Sequence, residues 1–370
     1  MMGEWRKCKL KDVIIFGNGK ARPKADGEIP VYGGNGILGY CNQFNYKDET
    51  IILGRVGAYC GSVFYTNKPV WISDNALSAK PKERNSTKFL FYFLKNLGLN
   101  LFAEGSSHPL ITQTLLNSID IEIPEKETEQ KAIASVLSSL DDKIDLLHRQ
   151  NKTLEAMAET LFRQWFMEEA QDDWEEKPLS FFGDIVCGKT PPKKSLNYFG
   201  GEIPFIKIPD MHENIFIFET SDSLTEEGKL FQLNKTLPPK SICVSCIATV
   251  GLVSMNAKES QTNQQINSII PRKDCYRYFL FLTMKLSYDL LHSMASGGTA
   301  TLNLNTGNFS KIPVQYPGDN LLINFQKEVE PYFDKIFINQ TQIRTLEKLR
   351  DTLLPKLMSG EVRVEYDVVA

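Results

Sequence analysis

Leu140 to Phe166 reads LDDKIDLLHRQNKTLEAMAETLFRQWF, and Phe333 to Met358 reads FDKIFINQTQIRTLEKLRDTLLPKLM. Both stretches carry Asp-Lys-Ile, then an Asn/Gln patch, then Leu-Glu, then a leucine-rich end. Lys143 and Lys335, Leu154 and Leu346, and Leu161 and Leu353 are each 192 positions apart. Similarity at a constant offset marks a duplicated architecture. In the first copy Ile133, Leu137, Leu140, Ile144, Leu147, Asn151, Leu154, Ala158, Leu161 and Trp165 follow in steps of 4 and 3. The same offset yields Phe325, Val329, Tyr332, Ile336, Asn339, Ile343, Leu346, Arg350, Leu353 and Leu357. That heptad rhythm predicts two long helices, each with an apolar seam interrupted by a polar residue. From Ile133 to Trp165 such a helix extends ~48 Å at ~1.5 Å per residue.

The echo continues outward from the helices. Gly54 to Val63 resembles Ser245 to Val253, Asp74 to Ser78 resembles Asn263 to Asn267, and Phe89 to Leu94 resembles Tyr278 to Leu282. Glu28-Ile-Pro30 recurs as Glu202-Ile-Pro204. The offset drifts from 169 at Trp5 and Trp174 to 192 in the helices, so the second copy carries insertions, mostly between about 190 and 240. The expected order is a first domain (1–125), a helix (126–170), a second domain (171–317), a second helix (318–362) and a tail (363–370). Short β-branched runs such as Thr50-Ile-Ile-Leu53 and Ser241-Ile-Cys-Val-Ser245 predict strands separated by Gly- and Asn-rich loops, hence an α+β class. Two copies that share an architecture but differ in their loops suggest one task performed on two targets.

Composition excludes several classes. A chain of 370 residues with 42% hydrophobic and 24% charged residues is an ordinary globular mixture, long enough for more than one core. No apolar run approaches a membrane span, and the N-terminus lacks the apolar core of a signal peptide. Seven cysteines without framework spacing suit a reducing cytosol. The net charge of -3 is unevenly spread: residues 1–125 hold 15 Lys/Arg against 12 Asp/Glu, and residues 126–170 hold 6 against 9.

Catalytic patterns fail on inspection. Gly183-Asp-Ile-Val-Cys-Gly-Lys-Thr190 matches a P-loop letter for letter, but the chemistry needs a helix starting at Lys-Thr, and Pro191-Pro192 oppose it. Its counterpart in the first copy, Phe16-Gly-Asn-Gly-Lys20, lacks the first glycine. Asp210 with Glu227-Gly-Lys229 fits a loose Mg²⁺-nuclease pattern, but Glu226-Glu227-Gly228 reads as a turn or helix end rather than a strand. Cys243-Val-Ser-Cys246 lies in an expected strand, where the two side chains point oppositely, so it is no zinc half-site. No methyl-donor loop is evident. The chain reads as a recogniser without catalytic residues, metal or cofactor.

The segments Gly188-Lys-Thr-Pro-Pro192, Tyr198-Phe-Gly-Gly-Glu-Ile-Pro204, Asp210-Met211, Thr262-Asn-Gln-Gln-Ile266, Glu129 to Leu137 and Leu349 to Glu361 carry a resemblance. They resemble the DNA-specificity subunit of type I restriction-modification systems, over essentially the whole chain. The resemblance implies two α/β target-recognition domains, each reading half of a bipartite duplex. It implies two long helices packed antiparallel as a coiled-coil spacer, with pseudo-two-fold symmetry. It also implies partners: two methyltransferase subunits and two ATP-dependent restriction and translocation subunits. A non-catalytic coiled-coil adaptor with two protein-binding heads is the alternative from another class.

Base-reading residues cannot be carried over from such a family, so candidates come from chemistry. Lys20, Arg22, Lys24 and Arg55 in the first domain, and Lys189, Lys193, Lys194 and Lys207 in the second, could meet phosphate or guanine. Asn35, Ser107, His108, Gln264, Gln265 and Thr299 offer donor and acceptor groups for base edges, although Gln264 and Gln265 could equally anchor their own domain. Within the antiparallel seam, Asn151 opposite Asn339 is the register that leaves neither amide against an apolar residue. It sets Leu137 against Leu353, Ile144 against Leu346 and Leu161 against Val329. Leu140 then meets Arg350, whose stem is expected to snorkel to water.

Overall fold

Residues 4–105, 109–192, 194–296 and 302–365 are described by a computed structural model. Ser107, His108, Lys193 and Thr299 lie outside the described residues. The short β-branched runs form the expected strands. In the first copy Ile14–Asn18, Ala76–Pro81, Thr50–Gly54 and Val63–Thr66 are neighbours in that order, all antiparallel. In the second copy Gly183–Cys187, Ile266–Pro271, Ile242–Ser245 and Val253–Asn256 repeat the order, and Phe216–Ile217 adds a parallel edge. A smaller sheet recurs as well: Gly36–Cys41, Ile29–Gly33 and Trp71–Ile72 in the first copy, and Asp222–Leu224, Phe199–Ile206 and Gln261–Thr262 in the second. Each copy closes with a two-strand ribbon, Trp5–Lys9 with Asp120–Pro124 and Glu175–Pro178 with Pro313–Tyr316.

The insertion in the second copy folds locally. Helices Ile208–Met211 and Glu226–Phe231 occupy it, the latter capped by Thr225 Oγ1 accepting from the Gly228 amide at 3.1 Å. Glu226-Glu227-Gly228 therefore starts a helix rather than ending one. Among the described residues no helix follows the equivalent strand of the first copy, Gly36–Cys41, which leaves Ile37, Leu38 and Tyr40 about half exposed.

The two heptad stretches form helices Glu127–Arg163 and Asp319–Met358, of 37 and 40 residues. The chain divides into two compact units, residues 1–146 with 342–370 and residues 147–341, and both long helices run from one unit into the other. Antiparallel pairing is visible within the second unit. Asn339 Nδ2 donates to Asn151 Oδ1 at 2.8 Å, and 14 residues onward, in the π-helical turn Gln164–Glu168 that follows the first helix, the Trp165 ring centre lies 5.7 Å from that of Phe325. Every seam position is buried or half-buried. Burial also extends beyond the heptad stripe to Ala134, Phe162, Phe166, Leu322 and Phe333, which join the domain cores. The heptad accounts for the helix partner, and this second stripe accounts for the domain each helix supports.

Arg350 departs from the expectation. Its guanidinium meets Asp141 at 2.9 Å and Asp351 at 2.9 Å rather than extending into water. Asp141 in turn accepts from the Tyr92 hydroxyl at 2.6 Å, so helix, helix and domain share one polar joint in the first unit. Burial and the hydrogen bond to Asp141 push the Tyr92 phenol well above its ordinary value.

Candidate nucleic-acid interface

The glycine of each Gly-Lys pair is dictated by backbone contact. A Cβ on Gly19 would stand 1.8 Å from Ser73 O, and one on Gly188 would stand 2.0 Å from Asn263 O. Such approach admits only glycine. It explains the P-loop lettering: Gly188 lets the chain cross a turn of its own domain, and no helix begins at Lys189. Among the described residues no group of three His, Cys, Asp or Glu could hold a metal ion. Cys243 and Cys246 sit in different core clusters, and burial pushes their thiols up to about 12 and about 11.

The crossed turn is built alike in both domains. The Gly19 amide donates to Ala76 O and that of Gly188 to Ile266 O. Lys20 N donates to Ile72 O, and Lys189 N to Thr262 O. Arg55 N donates to Asn75 O, and Cys246 N to Gln265 O. The turns close on themselves through Ala76 N to Ser73 O and Ile266 N to Asn263 O. Ser73-Asp74-Asn75-Ala76 is therefore equivalent to Asn263-Gln264-Gln265-Ile266. Letter similarity pairs Asp74 with Asn263, and the hydrogen bonds correct that by one position.

Several candidates converge on these turns. In the first domain Lys20 and Arg55 are both bonded to the turn through their backbones, and Asn35 follows Gly34, where a Cβ would stand 3.6 Å from Asn75 O. In the second, Lys189 and Gln264 are exposed, and the Thr190 hydroxyl donates to Gln264 Oε1 at 2.6 Å. The Lys189 ammonium lies 5.4 Å from the centre of the Phe231 ring, and Gln232 Nε2 donates to Lys189 O at 2.7 Å, which fixes the loop.

The rest separate. Arg22 donates to Tyr40 O at 3.3 Å over the exposed strand edge, and Lys24 and Lys194 are exposed. Lys207 is bound to Asp222, an ion pair that ties two parts of its own domain together. Gln265 is turned inward, accepting from Asn263 Nδ2 at 3.0 Å, so it anchors the turn. Asp74 was missed by the sequence reading. Its signal, the middle of a duplicated turn, exists only once the register of that turn is known.

Comparison with known proteins follows the same outline. A family model described as type I restriction modification DNA specificity domain matches residues 2–156 and 171–349. The HindI specificity subunit of Haemophilus influenzae is 38% identical over 334 residues, covering 70% of this chain and 72% of its own. The MjaIX specificity subunit of Methanocaldococcus jannaschii is 27% identical over 412 residues, covering 98% and 94%. A type I restriction-modification S subunit from M. genitalium superposes with a TM-score of 0.68 at 19% identity over 96% of each chain, a likeness of fold.

Proposed function

Since the chain belongs to the type I restriction-modification DNA specificity family, we propose that it reads a bipartite duplex, one half with each recognition domain. The first domain, residues 1–125, reads one half and the second, residues 171–317, the other. The long helices set the spacing between the halves, and the Asn151–Asn339 layer holds their register. The protein has no catalytic residue of its own and recruits methyltransferase and ATP-dependent restriction subunits, two of each.

The observation that carries this reading is the duplicated turn, an identical backbone frame that presents Lys20 in one domain and Lys189 in the other with different neighbours. One scaffold with two side-chain sets is what reading two different half-sites requires. The helices support two docking events in the same way. Leu146 and Met157 on the first helix are exposed, and so are Ile338 and Leu349 at the equivalent positions of the second. Each pair is 11 residues apart, about three helical turns, so both members lie on one face.

With a net charge of -3, the chain alone should bind duplex DNA weakly at physiological salt, because phosphate neutralisation dominates such affinity. The test is methylation mapping of the reconstituted complex on randomised DNA. Replacing residues 1–125 with another recognition domain should change one half of the target and leave the other intact. A swap that changed both halves would overturn independent reading.

A further inference from the structure

The end of each long helix is held to a recognition domain, and the two units do this differently. In the second unit the attachment is the chain itself. The turn Gln164–Glu168 leads through residues 169–173 to Trp174, whose amide donates to Gln171 O at 3.3 Å. In the first unit the equivalent tryptophan, Trp5, stands 358 positions before Arg363, so its tie to the end of the second helix is noncovalent. The residues after Met358 supply that tie. The chain turns at Gly360, whose φ of +73° is left-handed and on which a Cβ would stand 3.1 Å from Trp5 Cζ2. The Val362 amide donates back to Lys356 O at 3.1 Å. Arg363 then lies over the indole, its Cζ 5.0 Å from the ring centre. Its Nη1 donates to Glu129 Oε1 at 2.9 Å, and the same oxygen accepts from Trp5 Nε1 at 3.3 Å.

Glu129 is the telling member. It lies in the first turn of helix Glu127–Arg163, is 2% exposed, and its Oε2 accepts no hydrogen bond among the described residues. A buried carboxylate is unfavourable unless a cation and donors meet it, so packing alone does not account for its presence. In the second copy, 192 positions on, Leu321 stands in its place and packs with Trp174 against the second core. The carboxylate is present where the joint needs a partner from a distant segment and absent where the chain makes the joint itself.

We infer that Glu129 and Arg363 are positioning residues: they latch the segment after the second helix onto Trp5 and so fix the angle at which the first recognition domain meets its half-site. This rests on the reading of the domain as a DNA reader. Trp5 pairs with Pro124, which runs directly into helix Glu127–Arg163, so the latch grips the domain where it joins the first helix. With the latch open, the domain keeps that covalent link. Its hold on the second helix falls to the apolar packing of Leu353, Leu354, Leu357 and Met358. Apolar contact is non-directional and fixes no angle, whereas the ion pair and the stacked guanidinium do. The latch therefore governs tolerance of half-site spacing and leaves the bases read unaltered.

The test uses the full chain reconstituted with its methyltransferase, with methylated products sequenced from a randomised duplex pool. Each product reports both half-sequences and the spacing between them. With Arg363→Ala, the preference for the native spacing over one base pair more or less should fall roughly 10-fold, the worth of one charge-assisted hydrogen bond. Both half-sequences should stay as they were. Hydrogen exchange should quicken at the Val362 amide and remain unchanged in residues 147–341. Because Arg363→Ala strands a buried carboxylate, Glu129→Leu with Arg363→Ala is the second variant, copying the chemistry of the second unit. It should recover the denaturation midpoint and still tolerate altered spacing. Recovery of strict spacing together with the midpoint would make both residues merely structural and overturn the inference. So would unaltered spacing in Arg363→Ala, or a changed base preference in either half. A wild-type complex that enriched no sequence would instead overturn the DNA reading beneath it.

Discussion

At equivalent positions, 192 residues apart, the two long helices meet their domains through opposite chemistry. In the first unit Asp141 accepts from Tyr92 and pairs with Arg350. In the second unit the position of Asp141 is taken by Phe333, fully buried, stacked on Tyr278 at 4.2 Å and 5° and edge-on to Phe281 at 5.5 Å. The position of Arg350 is taken by Ala158, buried in the same core as Phe333. The duplication preserves backbone geometry and leaves the joint free to be polar or apolar. An aromatic joint has no ion pair for salt to screen, whereas a half-buried ionic joint is weakened by screening. The two units should therefore respond differently to the same perturbation.

The largest expected effect is on the apolar joint. Phe333→Ala removes a stacked, fully buried ring, and a cost of about 3–5 kcal/mol is expected. Hydrogen exchange on the full chain should show the loss concentrated in residues 147–341, with little dependence on salt. A loss spread evenly over both units would deny that the joints are local. Next is the polar layer of the seam. Asn339→Leu alone leaves Asn151 facing an apolar residue and should cost about 1–3 kcal/mol. Asn151→Leu with Asn339→Leu should restore or raise the denaturation midpoint while relaxing the half-site spacing seen in methylation mapping. Retention of strict spacing in the double variant would remove the Asn pair from its role in register.

Smaller is the polar joint. Arg350→Ala or Asp141→Asn should cost about 1–2 kcal/mol, confined to the first unit and diminishing at high salt. A double-mutant cycle over Tyr92 and Asp141 measures their coupling directly. The combination Asp141→Phe with Arg350→Ala should convert the first joint to the chemistry of the second and abolish its salt dependence.

The smallest effect is a pH dependence. Burial raises the Cys243 thiol to about 12, so the folded state retains a proton that the unfolded chain releases near the ordinary thiol value. Stability of the second domain contributed by this thiol is complete below that ordinary value and declines as pH rises toward 12. Denaturation midpoints of Cys243→Ala between about pH 8.5 and 10.5 should lose the corresponding slope. An unaltered slope would assign it to other groups.

Much was legible in the sequence because its cause is local and periodic. The heptad steps, the 192-residue offset and the coincidence of one asparagine in each seam specify two helices and their pairing, since a 3.5-residue rhythm buries one face whatever surrounds it. The failure of the P-loop pattern was legible too, because Pro192 pushes residue 191 away from helical angles and so opposes a helix start. Tertiary structure decided what depends on partners distant in sequence. Residue type alone does not separate Lys207, held by Asp222, from Lys189, which is exposed beside Gln264. Arg350 was expected in water and found an acid on the other helix 209 positions away. The true match of Asp74 is Gln264, not Asn263, because backbone hydrogen bonds from glycine, lysine and the neighbouring strand count the turn, and letters alone do not. Helical periodicity is written in the chain itself, whereas ion pairs and turn register belong to segments that meet only after folding.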